Sequence, residues 1–277
     1  MKKNTHTIQK VFHCIRYDIT EGILHLLPLF LLGIFFITMF SVDARMHLKA
    51  GISAPSALDI AIYVFQGIEE YMFVKGGPSF EIPITYLAFT LFFCLLACYY
   101  SHREWKLRGT VYIPRYQSKT TWWISKCIWC VMEILLFYIL VFATIWIIAG
   151  IGGNFSFSLS PDAPGLYSGI LLTTDTSEVF LYIYVLGAIS TIALNQMQIT
   201  LQMIFSPAVG YVFMIGIVTA SAYFFNLFLM GNNFMLLRTA LFREDGISLS
   251  TGIGLAFIVW LVFVIAGKVL IEKKDIL

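Results

Sequence analysis

Six apolar runs, at 22–41, 83–101, 123–149, 178–201, 207–230 and 250–270, alternate with segments that hold nearly all of the charge in this chain. A helix needs roughly 20 apolar residues to cross the ~30 Å of hydrocarbon in a bilayer. Each run therefore predicts a transmembrane helix. The expected fold class is all-α, a polytopic membrane protein with six transmembrane helices in a single domain, 1–277. The runs leave no room for a soluble catalytic domain.

The connecting segments carry patterns of their own. Ile8, Val11, Phe12, Ile15 and Ile19 recur at helical spacing, with Lys10, His13 and Arg16 on other faces. Residues 1–21 are thus expected to form an amphipathic helix in the headgroup layer; a frayed basic tail is the alternative. The first apolar run starts late and is long enough to span, so it reads as an anchor and not as a cleaved signal peptide.

Residues 57–74 are apolar at Leu58, Ala61, Phe65, Ile68 and Met72, opened by Ser56 and Asp59 and interrupted by Glu69 and Glu70. They predict a helix on the outer surface and not a seventh span. Ser206-Pro207 opens the fifth span after a short turn, since proline suits the first helical turn, so the fourth and fifth helices are expected to be antiparallel neighbours. Asn232 to Asp245 contains Phe234, Leu236, Leu237, Leu241 and Phe242 with Arg238 and Arg243. That stretch is too short to cross and predicts a short re-entrant helix in the outer leaflet, buried in protein or facing water.

Composition agrees with the pattern: 59% of residues are hydrophobic and 12% charged, against about a quarter charged in soluble domains. Charge sets the orientation. Of the 18 Lys and Arg, 13 fall on the side of both termini and the 101–126 segment, and 5 on the other. The positive-inside rule then places both termini in the cytoplasm of a multi-pass protein in the cell membrane. The net charge of +2 follows from topology and gives no reason to expect nucleic acid.

Candidate chemistry is sparse. Cys127 and Cys130 stand in C-x-x-C spacing and Cys94 and Cys98 are one turn apart, but they lie on the reducing side and lack nearby His partners. They are read as buried thiols, with no metal site. Glu69-Glu70 is similar to the paired glutamates of CAAX-protease-like membrane enzymes, yet the Arg that should follow is absent, as are convincing His ligands. No stretch matches G-x-x-x-x-G-K-[ST], so the chain is not expected to be an enzyme or to bind nucleotide itself.

Polar residues inside spans are costly unless paired or functional. Glu133 lies roughly 15 Å along the third span, near the midplane; it either lines a path, carries a proton, or bonds between helices. Thr191, Asn195, Gln198 and Gln202 share one face of the fourth span and either bond to a neighbouring helix or line a polar cavity.

The last segment is the most specific. Residues 101–126 form a basic, amphipathic island that holds Glu104, Gly109, Thr110, Pro114, Ser118, Lys119 and Lys126 in order. This arrangement resembles the cytoplasmic coupling segment of type 2 ABC exporter permeases. The amphipathic start is similar to their elbow helix, and the segment before the last span to their outer re-entrant helices.

The resemblance implies a permease subunit that pairs with a second copy, as a homodimer or with a related permease, and with separate ATPase subunits that hold ATP and Mg. It implies a coupling helix in which Glu104, Trp105, Arg108 and Tyr112 dock on the ATPase. The implied activity is export of an amphipathic cargo: a peptide, antibiotic or lipid-like molecule. Two other readings stay open: a proton-coupled secondary transporter centred on Glu133, which would more usually show internal repeats, and a non-transporting membrane immunity or sensor protein.

Overall fold

The computed structural model describes residues 2–72, 75–76, 79–97, 104, 118–160, 167, 169–173 and 175–273, with backbone alone for residues 2–11, 13 and 14. Helix α1 spans Lys2–Leu48 without a break. The predicted amphipathic segment and the first apolar run are therefore parts of one helix. At 1.5 Å per residue it is about 70 Å long, more than twice the hydrocarbon thickness, so much of it extends beyond a bilayer.

The remaining helices are α2 (Ala57–Phe65), α3 (Ile84–Ala97), α4 (Lys119–Ile151), α5 (Thr176–Ile204), α6 (Pro207–Tyr223) and α7 (Leu249–Lys273). Residues Leu181–Leu186 of α5 are wound as a π-helix. Among the described residues no strand forms. Among the described residues four helices, α1, α4, α5 and α7, are long and apolar enough to cross a membrane; α3 and α6 are shorter apolar helices. Large side chains such as Leu31, Phe35, Ile139, Phe257 and Val262 face outward, as lipid-facing positions do.

Local chemistry sets the helix starts. Ser118 accepts from Thr121 N at 3.2 Å to cap α4, Asp175 accepts from Ser177 N at 2.9 Å to cap α5, and Ser206 caps α6 with Pro207 in its first turn. Each side-chain oxygen meets one of the backbone N–H groups that a helix start leaves without partners.

Helix α4 packs along α1 in parallel register. Asp18 meets Lys126, Gly22 lies against the Trp129 ring, Gly33 lies against Phe137, and Phe30 stacks on Phe137 with centroids 6.0 Å apart. Small residues at the crossing let the two backbones approach, the usual basis of helix association in lipid. Helix α7 closes the other side: Trp123 Nε1 donates to Val264 O at 2.8 Å with its ring over Gly267, and Thr200 Oγ1 donates to Phe263 O at 3.1 Å. Lys119, Lys126 and Lys273 gather where α4 begins and α7 ends, which we call the basic end.

Two elements differ from expectation. The 57–74 helix stops at Phe65 and lies inside the protein, not on its surface. Leu58, Ile60, Ala61, Ile62 and Val64 are all buried, because the nine residues are apolar on every side except at Asp59 and α1 and α4 pack against them. The re-entrant helix expected at 232–245 is instead two short 3₁₀ turns, Met230–Phe234 and Leu236–Arg238. The fifth run also leaves the helix at Tyr223, although Phe224 to Leu229 remain largely apolar. One side chain accounts for these stops.

Candidate functional site

That side chain is Arg238, which has no exposed surface. It donates to the carbonyls of Ser221, Ala222 (2.7 Å) and Phe224 (3.1 Å) at the end of α6. It also donates to Ile68 O (3.0 Å), Glu69 O (3.2 Å) and Asn232 Oδ1. The guanidinium thus supplies the donors that the terminal carbonyls of α6 lack, and α6 ends there. Gly67 turns the chain with φ of 69°, and Leu237 N donates to Gln66 O at 3.0 Å, so the segment after α2 is laid along the 3₁₀ turns. Burial pulls the Arg238 guanidinium down to about 10, which leaves it cationic at neutral pH.

Asp59 is the second keystone at this end. Its carboxylate completes the α2 capping box with Ser56 and accepts from Ser160 N at 3.1 Å, Ser160 Oγ at 2.5 Å and Tyr167 Oη at 3.2 Å. Burial and the adjacent Asp59 carboxylate push the Tyr167 phenol well above its usual range. Glu70 sits 3.6 Å from Arg243.

At the basic end, Lys126 and Asp18 form an ion pair in which each side chain is 2% exposed. Ser125 Oγ donates to the same carboxylate at 2.7 Å, and the ammonium lies 5.5 Å from the Trp122 ring centroid. Glu104 is 5% exposed. The charged island is thus tied to α1 at Lys126, and its Glu104 is buried. Trp105, Arg108 and Tyr112 lie outside the described residues. Thr120 donates to Glu272 at 2.9 Å, tying the start of α4 to the end of α7.

The polar stripe of α5 is buried throughout. Thr191 Oγ1 donates to Gly187 O at 2.8 Å and lies 3.1 Å from Tyr138 Oη on α4. Asn195 donates to Phe93 O at 3.2 Å and Gln198 to Cys94 O at 2.7 Å, both on α3. Gln202 lies against Gly210 on α6. Gln196 faces α4 beside Cys127. The amide N–H groups of Asn195 and Gln198 thus bind neighbouring backbone, while their oxygens take no protein donor.

Glu133 lies on the neighbouring helix α4. The α1–α4 register puts it level with Leu26, between the Gly22–Trp129 and Phe30–Phe137 contacts, on the side of α4 that meets α1. It is 3% exposed and its Oε1 accepts no hydrogen bond from the protein. We expect Glu133→Gln to be milder than Glu133→Leu in its effect on folding and assembly, because the amide still hydrogen-bonds whereas leucine leaves any partner unmatched. Indistinguishable behaviour of both variants and the parent, read by size exclusion and thermal melting, would show that the carboxyl is merely tolerated.

Cys94, Cys127 and Cys130 are buried. Among the described residues no grouping of three or more His, Cys, Asp or Glu is arranged to hold a metal. Of the residues that matter here, sequence patterning singles out Glu133 and the α5 stripe. Asp18, Arg238 and Gln196 were missed. For Arg238 a signal existed: a cation set among apolar residues next to a span is a functional or structural marker by default. No protein-family model, curated protein or solved structure matches the chain.

Proposed function

We propose that the chain is the transmembrane permease subunit of an ATP-driven exporter of the type 2 ABC class. It pairs with a second permease copy and with separate ATPase subunits that bind ATP and Mg, and it moves an amphipathic cargo, peptide, antibiotic or lipid-like, across the cell membrane. In this reading α3 and α6 complete a set of six spans, both termini are cytoplasmic, the start of α1 is the elbow, and residues 230–245 form the outer re-entrant element.

The observation that carries the proposal is the fastening of the basic island. Glu104 is buried at one end and Lys126 is paired with Asp18 at the other. A displacement of the island is therefore delivered to α1 and α4 directly, and to α7 through Trp123 and Thr120. A loop that merely joined two spans would need no such fastening.

Glu104→Gln combined with Arg108→Ala is expected to leave insertion intact and ATPase subunits active while transport falls about tenfold or more. Paired measurement of ATP hydrolysis and cargo flux in reconstituted vesicles reads this; unchanged flux rules out the docking role. The buried, incompletely bonded Glu133 favours one second reading, a proton-coupled transporter. If no ATPase co-purifies with the chain and a proton gradient alone moves solute, that reading wins and Glu133 is its carrier.

A further inference from the structure

Four polar atoms on one face of α5 have no protein partner although the side chains that bear them are buried: Asn195 Oδ1, Gln198 Oε1, and Nε2 and Oε1 of Gln202. They lie within about 10 Å along the helix axis. All three side chains face the same packed seam, since Asn195 and Gln198 reach α3 and Gln202 reaches α6 at a residue without a side chain, Gly210. Ala193, Leu194 and Ile199 of α5 are as deeply buried with apolar side chains, so burial alone does not call for a carboxamide. Of the four carboxamides on α5, Gln196 faces α4 and the other three share the seam.

We propose that the α3–α5–α6 seam is a binding site for hydrogen-bond donors, the N–H of an amine or amide solute or the O–H of water, entered from the basic end. Three of the four free atoms are acceptor oxygens, so the complementary groups are donors. Gln202 is two residues from the end of α5 at Ile204, and both Ile204 and the following Phe205 are exposed, which sets the entrance. Helix α3 forms the opposite wall and leads in sequence into the basic island. Movement of α3 parts the carbonyls of Phe93 and Cys94 from the carboxamides and adds two N–H donors to the seam. This last link and the cytoplasmic side of the entrance rest on the permease reading; the site itself does not.

The test is thiol labelling, which requires no transport. In a background with the native cysteines replaced, Gln202→Cys, Thr200→Cys and Phe205→Cys are placed singly and treated in inside-out and right-side-out vesicles. The two probes are an aminoethyl and a sulfonatoethyl methanethiosulfonate, with rates normalised to exposed Phe205→Cys. Gln202→Cys is expected to react from the inside-out face, and Thr200→Cys, buried on the opposite side of α5 against α7, at least about a hundredfold more slowly.

Preference for the aminoethyl reagent at Gln202→Cys assigns the donor to an amine-bearing solute, and equal rates assign it to water. Reaction from the other face alone keeps the site and overturns the orientation. Should Gln202→Cys fail to assemble, Gln198→Cys, one turn deeper, carries the same comparison at a lower rate. Protection of both positions from both faces, with full reaction after denaturation, overturns the site and leaves the stripe as interhelical packing.

Discussion

Arg238→Met is expected to lower the melting temperature of the detergent-solubilised protein by about 10 °C or more, the largest effect of any single side chain on stability. Six acceptors lose their donor: the carbonyls of Ser221, Ala222, Phe224, Ile68 and Glu69, and Asn232 Oδ1. Each buried acceptor left unmade costs about 1–3 kcal/mol, and with partial rescue by relaxation or water the total is several kcal/mol. For a chain of this size that corresponds to roughly 2–4 °C per kcal/mol. Arg238→Lys keeps the charge but has three donors in place of five, so its melting point should fall between the two. Tryptophan fluorescence on heating reads all three proteins. A methionine variant that melts with the parent would show that the end of α6 is held by something else.

The same side chain explains where sequence reading stopped. Hydropathy places helices well because a run of apolar residues is a local property, and α4, α5 and α7 overlie the runs that predict them. Where a helix ends inside an apolar stretch is not local. Phe224 to Leu229 give no break signal strong enough to stop a helix, and the donor that stops it comes from Arg238, 14 residues past Phe224. The 57–74 segment ends early for a related reason: Gln66, Ile68 and Glu69 find their partners in the 3₁₀ turns and not along a helix.

The α5 stripe was legible because i, i+4 and i+7 positions share a face. Which of its atoms are bonded was not, since that depends on where α3 lies. Glu133 was legible as an acid deep in a span, but its level beside Leu26 of α1 was not. That level follows from the α1–α4 register, which rests on contacts between residues about 108 positions apart, such as Asp18 with Lys126.

That pair supports the second large effect. Lys126→Met leaves the Asp18 carboxylate buried without its cation, and breaking a buried pair from one side costs about 3–5 kcal/mol; a sharp drop in folded protein and in melting temperature is expected. Asp18→Asn with Lys126→Met removes both charges, while the new carboxamide oxygen still accepts from Ser125 Oγ. Because an ion pair replaced by well-packed neutral groups is often nearly neutral in stability, the double variant should recover to within about 1 kcal/mol of the parent. On the permease proposal, function should not recover with it: if the island delivers its motion through this contact, the recovered protein will assemble with the proposed ATPase and hydrolyse ATP while moving less cargo per ATP. Thermal melting of the four proteins gives the coupling energy of the pair, and flux measured beside hydrolysis gives the second readout. A single variant as stable as the parent would remove the pair from the fold's support, and a double variant with parental transport per ATP would remove it from the coupling route.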